Sequence, residues 1–390
     1  MKFFNIHNVK NCYGCGVCAV VCAKKIIDIR LNSDGFYEPF ITDLSKCTNC
    51  GLCLDICAYS QHELANVPSE ILSYASWSKE EAVRRKCSSG GVGFEIGRHL
   101  LNQGYKVCGV RYNADKNQVE HYIAQTIEEL IPSIGSKYIQ SYTVDGFGAI
   151  NRKEKYLVTG TPCQIDSFRR YIKKFKVEDN FILMDFFCHG VPSKLLWNKY
   201  LKSVEKTTGK VTYVSWRNKI TGWQDSYAMA IDGEASPEKV LSNNCYSLLM
   251  KESKCFYNSR MSKGDNFYAL FFGNNCLGKA CYKDCKYKNI NSSADIRIGD
   301  LWGKTYKDNT EGVSALLSFT NKGKELIQSI KAIDLVSHEV EVVVEGQMKH
   351  KLKYPSIARW SVLTLAKLGA SLSILVFTTR VFNKLRRMFG

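Results

Sequence analysis

The sequence of 390 residues has no apolar run ahead of its first cysteine. Met1 to Lys10 reads MKFFNIHNVK, with neither the hydrophobic stretch nor the small-residue cleavage site of a secretory leader, so a cytoplasmic chain is expected. No repeat recurs along the chain, which excludes a solenoid. Seven prolines and 28 glycines are too few for a collagen-like or low-complexity protein. No helix-turn-helix or RNA-binding signature is present and the Lys and Arg residues are dispersed, so no nucleic-acid partner is expected despite a formal net charge of +17. The cysteines are not even in number: there are 17, and a fully bridged secreted framework would strand one of them. What is present is 45% hydrophobic residues, enough for ordinary cores, in a length suited to two or three domains.

In a reducing compartment, clustered cysteines are more often metal ligands or catalytic thiols than bridges. Cys12, Cys15, Cys18 and Cys22 form C-x2-C-x2-C-x3-C, and Cys47, Cys50, Cys53 and Cys57 repeat the spacing, each set with a Gly after its second Cys. This is the bacterial two-cluster ferredoxin pattern, in which three thiolates of a tight loop cap one cubane and the fourth serves the other. Cys12, Cys15, Cys18 and Cys57 are thus expected on one [4Fe-4S] cluster, and Cys47, Cys50, Cys53 and Cys22 on the second. Zinc fits less well, because it prefers two separated C-x2-C knuckles. Ala23 and Ala58 stand where ferredoxins usually carry Pro, a departure that bears on the turn and the potential rather than on ligation. IIDIRLNSDGFYEPFI between the motifs reads as two short strands around a Ser-Asp-Gly turn, and a polar linker follows near Gln61 to Ser69.

Beyond the linker, strands alternate with helical segments and turns, the rhythm of an α/β core. Ser88, Ser89, Gly90 and Gly91 precede a helical stretch, a place suited either to a phosphate or to a simple N-cap. The strand Lys155 to Thr159 runs into Gly160-Thr161-Pro162-Cys163-Gln164, with Pro early in the next helix and Cys163 in its first turn. FILMDFF ends at Cys188-His189-Gly190, so both cysteines lie at strand ends, where α/β sheets place ligands. Cys276, Cys281 and Cys285 follow, ahead of the strand-like ADIRIGD and Leu301-Trp302-Gly303. On pattern alone Cys163 is a catalytic thiol, a cluster ligand or a buried structural Cys.

Taken in order, SSGG, GSKY, GTPCQ, CHGVPS, SWRNK with GW, a Cys pair and DIRIGDLWG closely resemble the coenzyme F-420 hydrogenase/dehydrogenase beta-subunit family over about residues 75 to 320. The resemblance implies FAD beside a third [4Fe-4S] cluster, whose ligands fall here at Cys163, Cys188, Cys281 and Cys285. The last pair is spaced C-x3-C where C-x2-C is usual, which keeps Cys276 open as a substitute ligand. It also implies FAD contacts at Ser88, Ser89, Gly90 and Gly91, with Lys137 and Tyr138 of GSKY as further candidates. Asp300 and Trp302 are expected in the wall of the flavin pocket, and His189 is a candidate proton donor with a structural role as its rival. Cys87, Cys108, Cys245 and Cys255 lack a partner at ligand spacing and read as ordinary thiols.

The expected organisation is mixed α+β and α/β. A ferredoxin-like two-cluster module occupies residues 1–65, a flavin and iron–sulfur α/β core residues 70–345, and a basic helical tail residues 350–390. Trp360 to Thr379 carries only one charge, Lys367, and reads as a packed soluble helix, an interfacial helix at the inner membrane face, or a span. Against the span, Lys367 near its centre would cost about 2.5–3.5 kcal/mol. Counting each cluster with its four thiolates as roughly −2, three clusters reduce the net charge to about +11. The loaded protein is still basic, which suits an acidic ferredoxin- or flavodoxin-type partner, a nucleotide-linked or other small-molecule substrate, or a membrane surface. The expected activity is an oxidoreductase that converts one-electron steps to two-electron chemistry through FAD, with a role in surface polysaccharide biosynthesis among those the resemblance implies. The rival is a non-catalytic electron-transfer subunit.

Overall fold

The computed structural model describes residues 5–68, 70–235 and 257–389. Cys245 and Cys255 lie outside the described residues. In the N-terminal module, β1 (Ile27–Leu31) and β2 (Tyr37–Ile41) form the expected antiparallel hairpin, in a register that pairs Leu31 with Tyr37. The Asn32 side chain closes its turn by accepting from the Asp34 and Phe36 amides at 3.0 and 3.1 Å. The Gly after each second cysteine, Gly16 or Gly51, caps a short helix, Val17–Val21 or Leu52–Asp55, with φ of 74° and 72°. A side chain resists that left-handed conformation, which is why both motifs carry Gly there.

The core is a nine-stranded mixed sheet among the described residues, ordered β14-β3-β13-β12-β8-β7-β4-β5-β6. Its strands are β3 (Leu72–Ser78), β4 (Lys106–Asn113), β5 (Gln118–Ala124), β6 (Ser141–Tyr142), β7 (Tyr156–Thr159), β8 (Phe181–Phe186), β12 (Ile296–Asp300), β13 (Ser314–Ser318) and β14 (Ile333–Ser337). A smaller antiparallel sheet holds β9 (Val211–Ser215), β10 (Ala228–Gly233) and β11 (Tyr257–Arg260). The centre is parallel: β4 pairs with β7, β7 with β8, and β8 with β12. β13 is antiparallel to both β12 and β3, so β3 runs with the parallel group. FILMD in β8 is buried throughout, as a strand covered on both faces must be.

The module and the sheet share one core. Ile27, Ile29 and Ile56 lie in the same hydrophobic cluster as Phe147, Phe168 and Phe181. The segment read as a linker is fastened too: the Lys286 ammonium donates to the Ala58, Gln61 and Glu63 carbonyls at 3.2, 2.7 and 2.8 Å. The tail is two helices, Ser356–Lys367 and Leu372–Phe389, rather than one. The apolar stretch is thereby divided, and no helix among the described residues is long and apolar enough to cross a membrane.

Register between β8 and β12 rests on one buried pair. Asp185 and Arg297 are cross-strand neighbours with fully buried side chains, joined by two 2.7 Å bonds, and Ser292 donates to the same carboxylate at 2.7 Å. Burial pushes the Asp185 carboxyl above its ordinary range in spite of Arg297, so the pair specifies register more than it adds net stability. Breaking it strands a buried cation. Asp185→Ala should therefore destabilise by about 3–5 kcal/mol in equilibrium denaturation, and a loss below about 1 kcal/mol would show that the register is held elsewhere.

Candidate functional site

Cys12, Cys15, Cys18 and Cys57 line one narrow recess, walled by apolar side chains that include Ile6, Ile29 and Ile56. The loop thus contributes three thiols and the second motif its fourth cysteine, the exchange expected from the spacing. Burial is the main reason the Cys15 thiol is pushed up to about 11, and the neighbouring Cys57 thiol adds to it. Burial also raises Cys53, with Cys50 and Cys22 as its charged neighbours, so the second group draws on both motifs as well. Cys50 is exposed, and the Asn5 amide donates to Cys47 Sγ at 3.3 Å.

The third group sits beneath the module. Cys163 opens the helix Pro162–Lys174 beyond β7, held by a capping box in which the Gln164 side chain accepts from the Thr161 amide at 2.8 Å. Cys188 follows β8, and Cys281 and Cys285 lie on and after the short helix Lys279–Lys283. Burial drives the Cys163 thiol far above its usual value, and the nearby Cys188, Cys281 and Cys15 thiols push it further. Cys281 is raised to about 12 by burial and then by Cys188, with Cys285 adding to it. Burial raises the Cys188 thiol as well, and the Lys288 ammonium, which donates to the Cys188 and His189 carbonyls at 2.5 and 3.0 Å, offsets only part of that rise.

Cys276 stays apart from this group. It is buried among Leu196, Leu270 and Val362, with its Sγ 3.4 Å from the Leu270 carbonyl. Among the described residues, no three His, Cys, Asp or Glu side chains gather as they would around a single metal ion. A cubane stands between its thiolates and holds them farther apart than one ion does, so a four-thiol set without oxygen or nitrogen donors fits a cluster rather than a mononuclear site.

Sequence reasoning missed the residues between the groups. Tyr13 lies close to Cys163, Cys281 and Cys285 and bonds through its hydroxyl to the Asp284 carbonyl at 2.5 Å. Ser167 Oγ lies 3.2 Å from Cys15 Sγ and accepts from the Ala58 amide at 3.0 Å. A Pro at position 58 has no N–H for that bond, which explains the departure from the ferredoxin pattern physically. Ser167 is four residues beyond Cys163 on one helix, a spacing that put both on the same face and could have revealed it.

The residues expected at FAD also converge, beyond the carboxyl ends of β3 and β12. Arg217, wholly buried, grips Asp300 with two bonds of 2.8 and 3.0 Å and donates to the Tyr138 hydroxyl and the Ser88 carbonyl, both at 3.2 Å. Trp223 donates to Asp300 at 2.8 Å and stacks on Trp302 at 4.8 Å and 7°. SWRNK and GW in the sequence carry Arg217 and Trp223, although nothing in the pattern gave them roles. His189 contacts the same aromatic wall through Phe272, and its Nε2 lies 2.6 Å from Asn274 Oδ1.

The Ser88–Gly91 turn is committed to the protein. Ser88 Oγ accepts from the Ser136 amide at 2.8 Å, Ser89 Oγ donates to the Val313 carbonyl at 2.7 Å, and the Gly90 amide donates to Ser314 Oγ at 3.0 Å. A Cβ on Gly90 would meet the Ser76 carbonyl at 2.4 Å, so packing against β3 requires Gly there. The Lys137 ammonium is likewise spent on the Ser133, Ile134 and Gly135 carbonyls at 2.7, 2.9 and 3.0 Å, while burial pushes it down to about 7. In this arrangement the aromatic wall suits a flavin ring, whereas the Ser89 hydroxyl, the Gly90 amide and the Lys137 ammonium are taken by protein acceptors. The residues therefore fit FAD only in part.

Residues 73–145 match the family model for the coenzyme F420 hydrogenase/dehydrogenase beta subunit N-terminus, and residues 153–341 match that for its C terminus. Residues 11–61 match a 4Fe-4S dicluster domain. The chain belongs to the coenzyme F420 hydrogenase/dehydrogenase beta-subunit family, and within it is an iron–sulfur electron-transfer member. A solved structure titled as the xenon-derivatised F420-reducing [NiFe] hydrogenase complex from Methanosarcina barkeri aligns with TM-score 0.47 and 14% identity, over 85% of this chain and 96% of that one. No curated protein matches.

Arg217→Lys keeps the charge but loses the planar fork that spans both Asp300 oxygens. Unfolding by denaturant should show a loss of about 1.5–3 kcal/mol, together with disordered Trp223 and Trp302 fluorescence. An unchanged midpoint would mean that the fork does not organise the aromatic wall.

Proposed function

We propose that this chain is an iron–sulfur oxidoreductase that passes electrons between an acidic ferredoxin- or flavodoxin-type protein and a two-electron substrate, using three [4Fe-4S] clusters. The observation that carries the reading is the meeting of Cys163, Cys188, Cys281 and Cys285 beside Cys15 of the N-terminal module. Cys12, Cys15, Cys18 and Cys57 hold the first cluster, Cys47, Cys50, Cys53 and Cys22 the second, and the four core thiols the third. Bound there, the clusters supply one-electron transfer. The residues around them bury the thiols, place Ser167, Asn5 and Thr161 against sulfur, and leave the second group nearest solvent at Cys50. Exposed Lys24, Lys25 and Lys46 border that end and favour an acidic partner.

FAD, when bound, would supply the change from one-electron to two-electron chemistry. Trp302, Trp223, Arg217 and Asp300 are the residues that would face it. The commitment of the Ser88–Gly91 turn and Lys137 to protein partners favours a second reading, a relay subunit that holds no flavin and hands electrons to a partner enzyme. A sugar or nucleotide-linked substrate of surface polysaccharide synthesis belongs to the first reading and is tested with it.

Anaerobic purification with iron, sulfide and flavin analysis separates the readings. About twelve irons per chain are expected in both, with one FAD in the first and none in the second, while eight irons would remove the third cluster. Cys163→Ser and Cys188→Ser should each lose about four irons and keep the ferredoxin signal, whereas Cys276→Ser should lose none.

Ser167→Ala removes a hydroxyl from the Cys15 sulfur. A hydrogen bond of about 1 kcal/mol corresponds to some tens of millivolts for one electron, so the first cluster should move to more negative potential by that amount in an EPR-monitored titration. A midpoint that stays put would show that Ser167 only ties the module to the core.

A further inference from the structure

The tail contributes a disproportionate share of the positive charge. From Gly346 to Gly390 there are nine Lys and Arg residues and no Asp or Glu, so this segment alone accounts for nine of the formal +17. Arg359 and Lys367 are spent on Asp34, at 3.1 and 2.5 Å, and Arg386 donates to Asn275 at 2.6 Å. Arg380, Lys384 and Arg387 are exposed and in no ion pair among the described residues.

The helix Leu372–Phe389 has two apolar faces. Leu375 and Val376 pack into the cluster with Leu270 and Val362, and Asn275 fastens the helix by donating to Asn383 at 3.1 Å. On the opposite side Ile374, Phe377, Val381, Leu385 and Met388 are exposed, Phe377 at 68% and Met388 at 63%. Their spacing of three, four, four and three residues makes one continuous stripe. At 100° per residue, Arg380, Lys384 and Arg387 fall along one flank of it. The preceding helix also presents apolar groups to solvent, Ile357, Trp360 and Leu368, at 71%, 68% and 78%.

An apolar stripe edged by unpaired cations, with an exposed Trp nearby, has the chemistry of a helix that lies in the plane of an anionic bilayer surface. Crossing is not available to it, since no described helix is long and apolar enough. The complementary charge and the lack of any acidic residue in the segment argue against a second copy of the same face, which would set cations against cations. We propose that the Leu372–Phe389 helix seats this protein peripherally on a membrane of anionic phospholipid, with Phe377 and Val381 entering the acyl boundary and Arg380, Lys384 and Arg387 meeting headgroup phosphates. The site uses none of the cysteines proposed as cluster ligands and holds whether or not a flavin is bound.

Flotation of the full-length protein with vesicles of phosphatidylcholine, with or without phosphatidylglycerol, tests this. Binding should require the anionic lipid and weaken as salt is raised. The triple change Arg380→Glu, Lys384→Glu and Arg387→Glu should reduce the partition at least about tenfold, and Phe377→Asp should do the same while iron content and circular dichroism stay unchanged. Equal recovery with neutral and anionic vesicles, or full binding by both variants, would sink the proposal. So would a concentration-dependent dimer in sedimentation that Phe377→Asp abolishes, because the stripe would then be covered by another copy.

Discussion

Everything at the centre of this molecule depends on β7, β8 and β12 lying side by side and parallel. Cys163 follows β7, Cys188 follows β8, and Asp300 ends β12, so parallel pairing delivers all three to the same edge of the sheet. A one-residue slip between β8 and β12 would turn Asp185 and Arg297 away from each other and strand two buried charges without their partner. That penalty is large relative to the whole stability of a domain. The register is therefore held by the avoidance of a loss rather than by the gain of a bond, and the geometry of the thiol group follows from it.

The N-terminal module is not an appendage on this sheet. Its isoleucines share a core with Phe168 and Phe181, and Ser167 joins the Cys15 sulfur to the Ala58 amide across that contact. Replacing the usual proline by Ala58 gives up a rigid turn and gains an amide that can reach the core helix. The chain thus trades local stiffness for fixed placement, and placement is what the distance dependence of electron transfer rewards. Tyr13 and Cys163 lie close enough to influence each other's ionisation, which places the first motif loop directly over the third group of thiols.

The sequence made some of this readable and not the rest, for identifiable reasons. The hairpin, β4, β5, β7, β8 and β12 were visible because alternation and apolar runs are local signals, and the cysteine spacing pointed to an exchange of fourth cysteines, with Cys57 lying in the recess of Cys12, Cys15 and Cys18. The small antiparallel sheet and the antiparallel flank β13, β3, β14 were not read, since pairing between strands distant in the chain leaves no local mark. Arg217 escaped for a related reason: its partners Ser88, Tyr138 and Asp300 are scattered over more than half the chain. The Ser-Ser-Gly-Gly turn shows how one residue type can answer to two demands. Its glycines suit a ligand's approach in the pattern, and Gly90 is also required by the close approach of β3 and β13, which no local signal reveals.

Charge can now be read as geography instead of as a total. Exposed lysines border the thiol group nearest solvent, while the tail from Gly346 carries nine Lys and Arg and no acidic residue, two of them, Arg359 and Lys367, paired with Asp34 of the N-terminal module. Clusters of net negative charge would offset the lysines beside their own thiols most directly, because none of the proposed ligands lies in the tail. Loading the protein with iron and sulfide would therefore neutralise the module's lysines more than the unpaired Arg380, Lys384 and Arg387 of the tail. A long-range attraction to an acidic protein would then fall with cofactor loading, and attraction to an anionic surface through the tail would not. The two electrostatic functions draw on different cations, and screening limits how far each of them reaches.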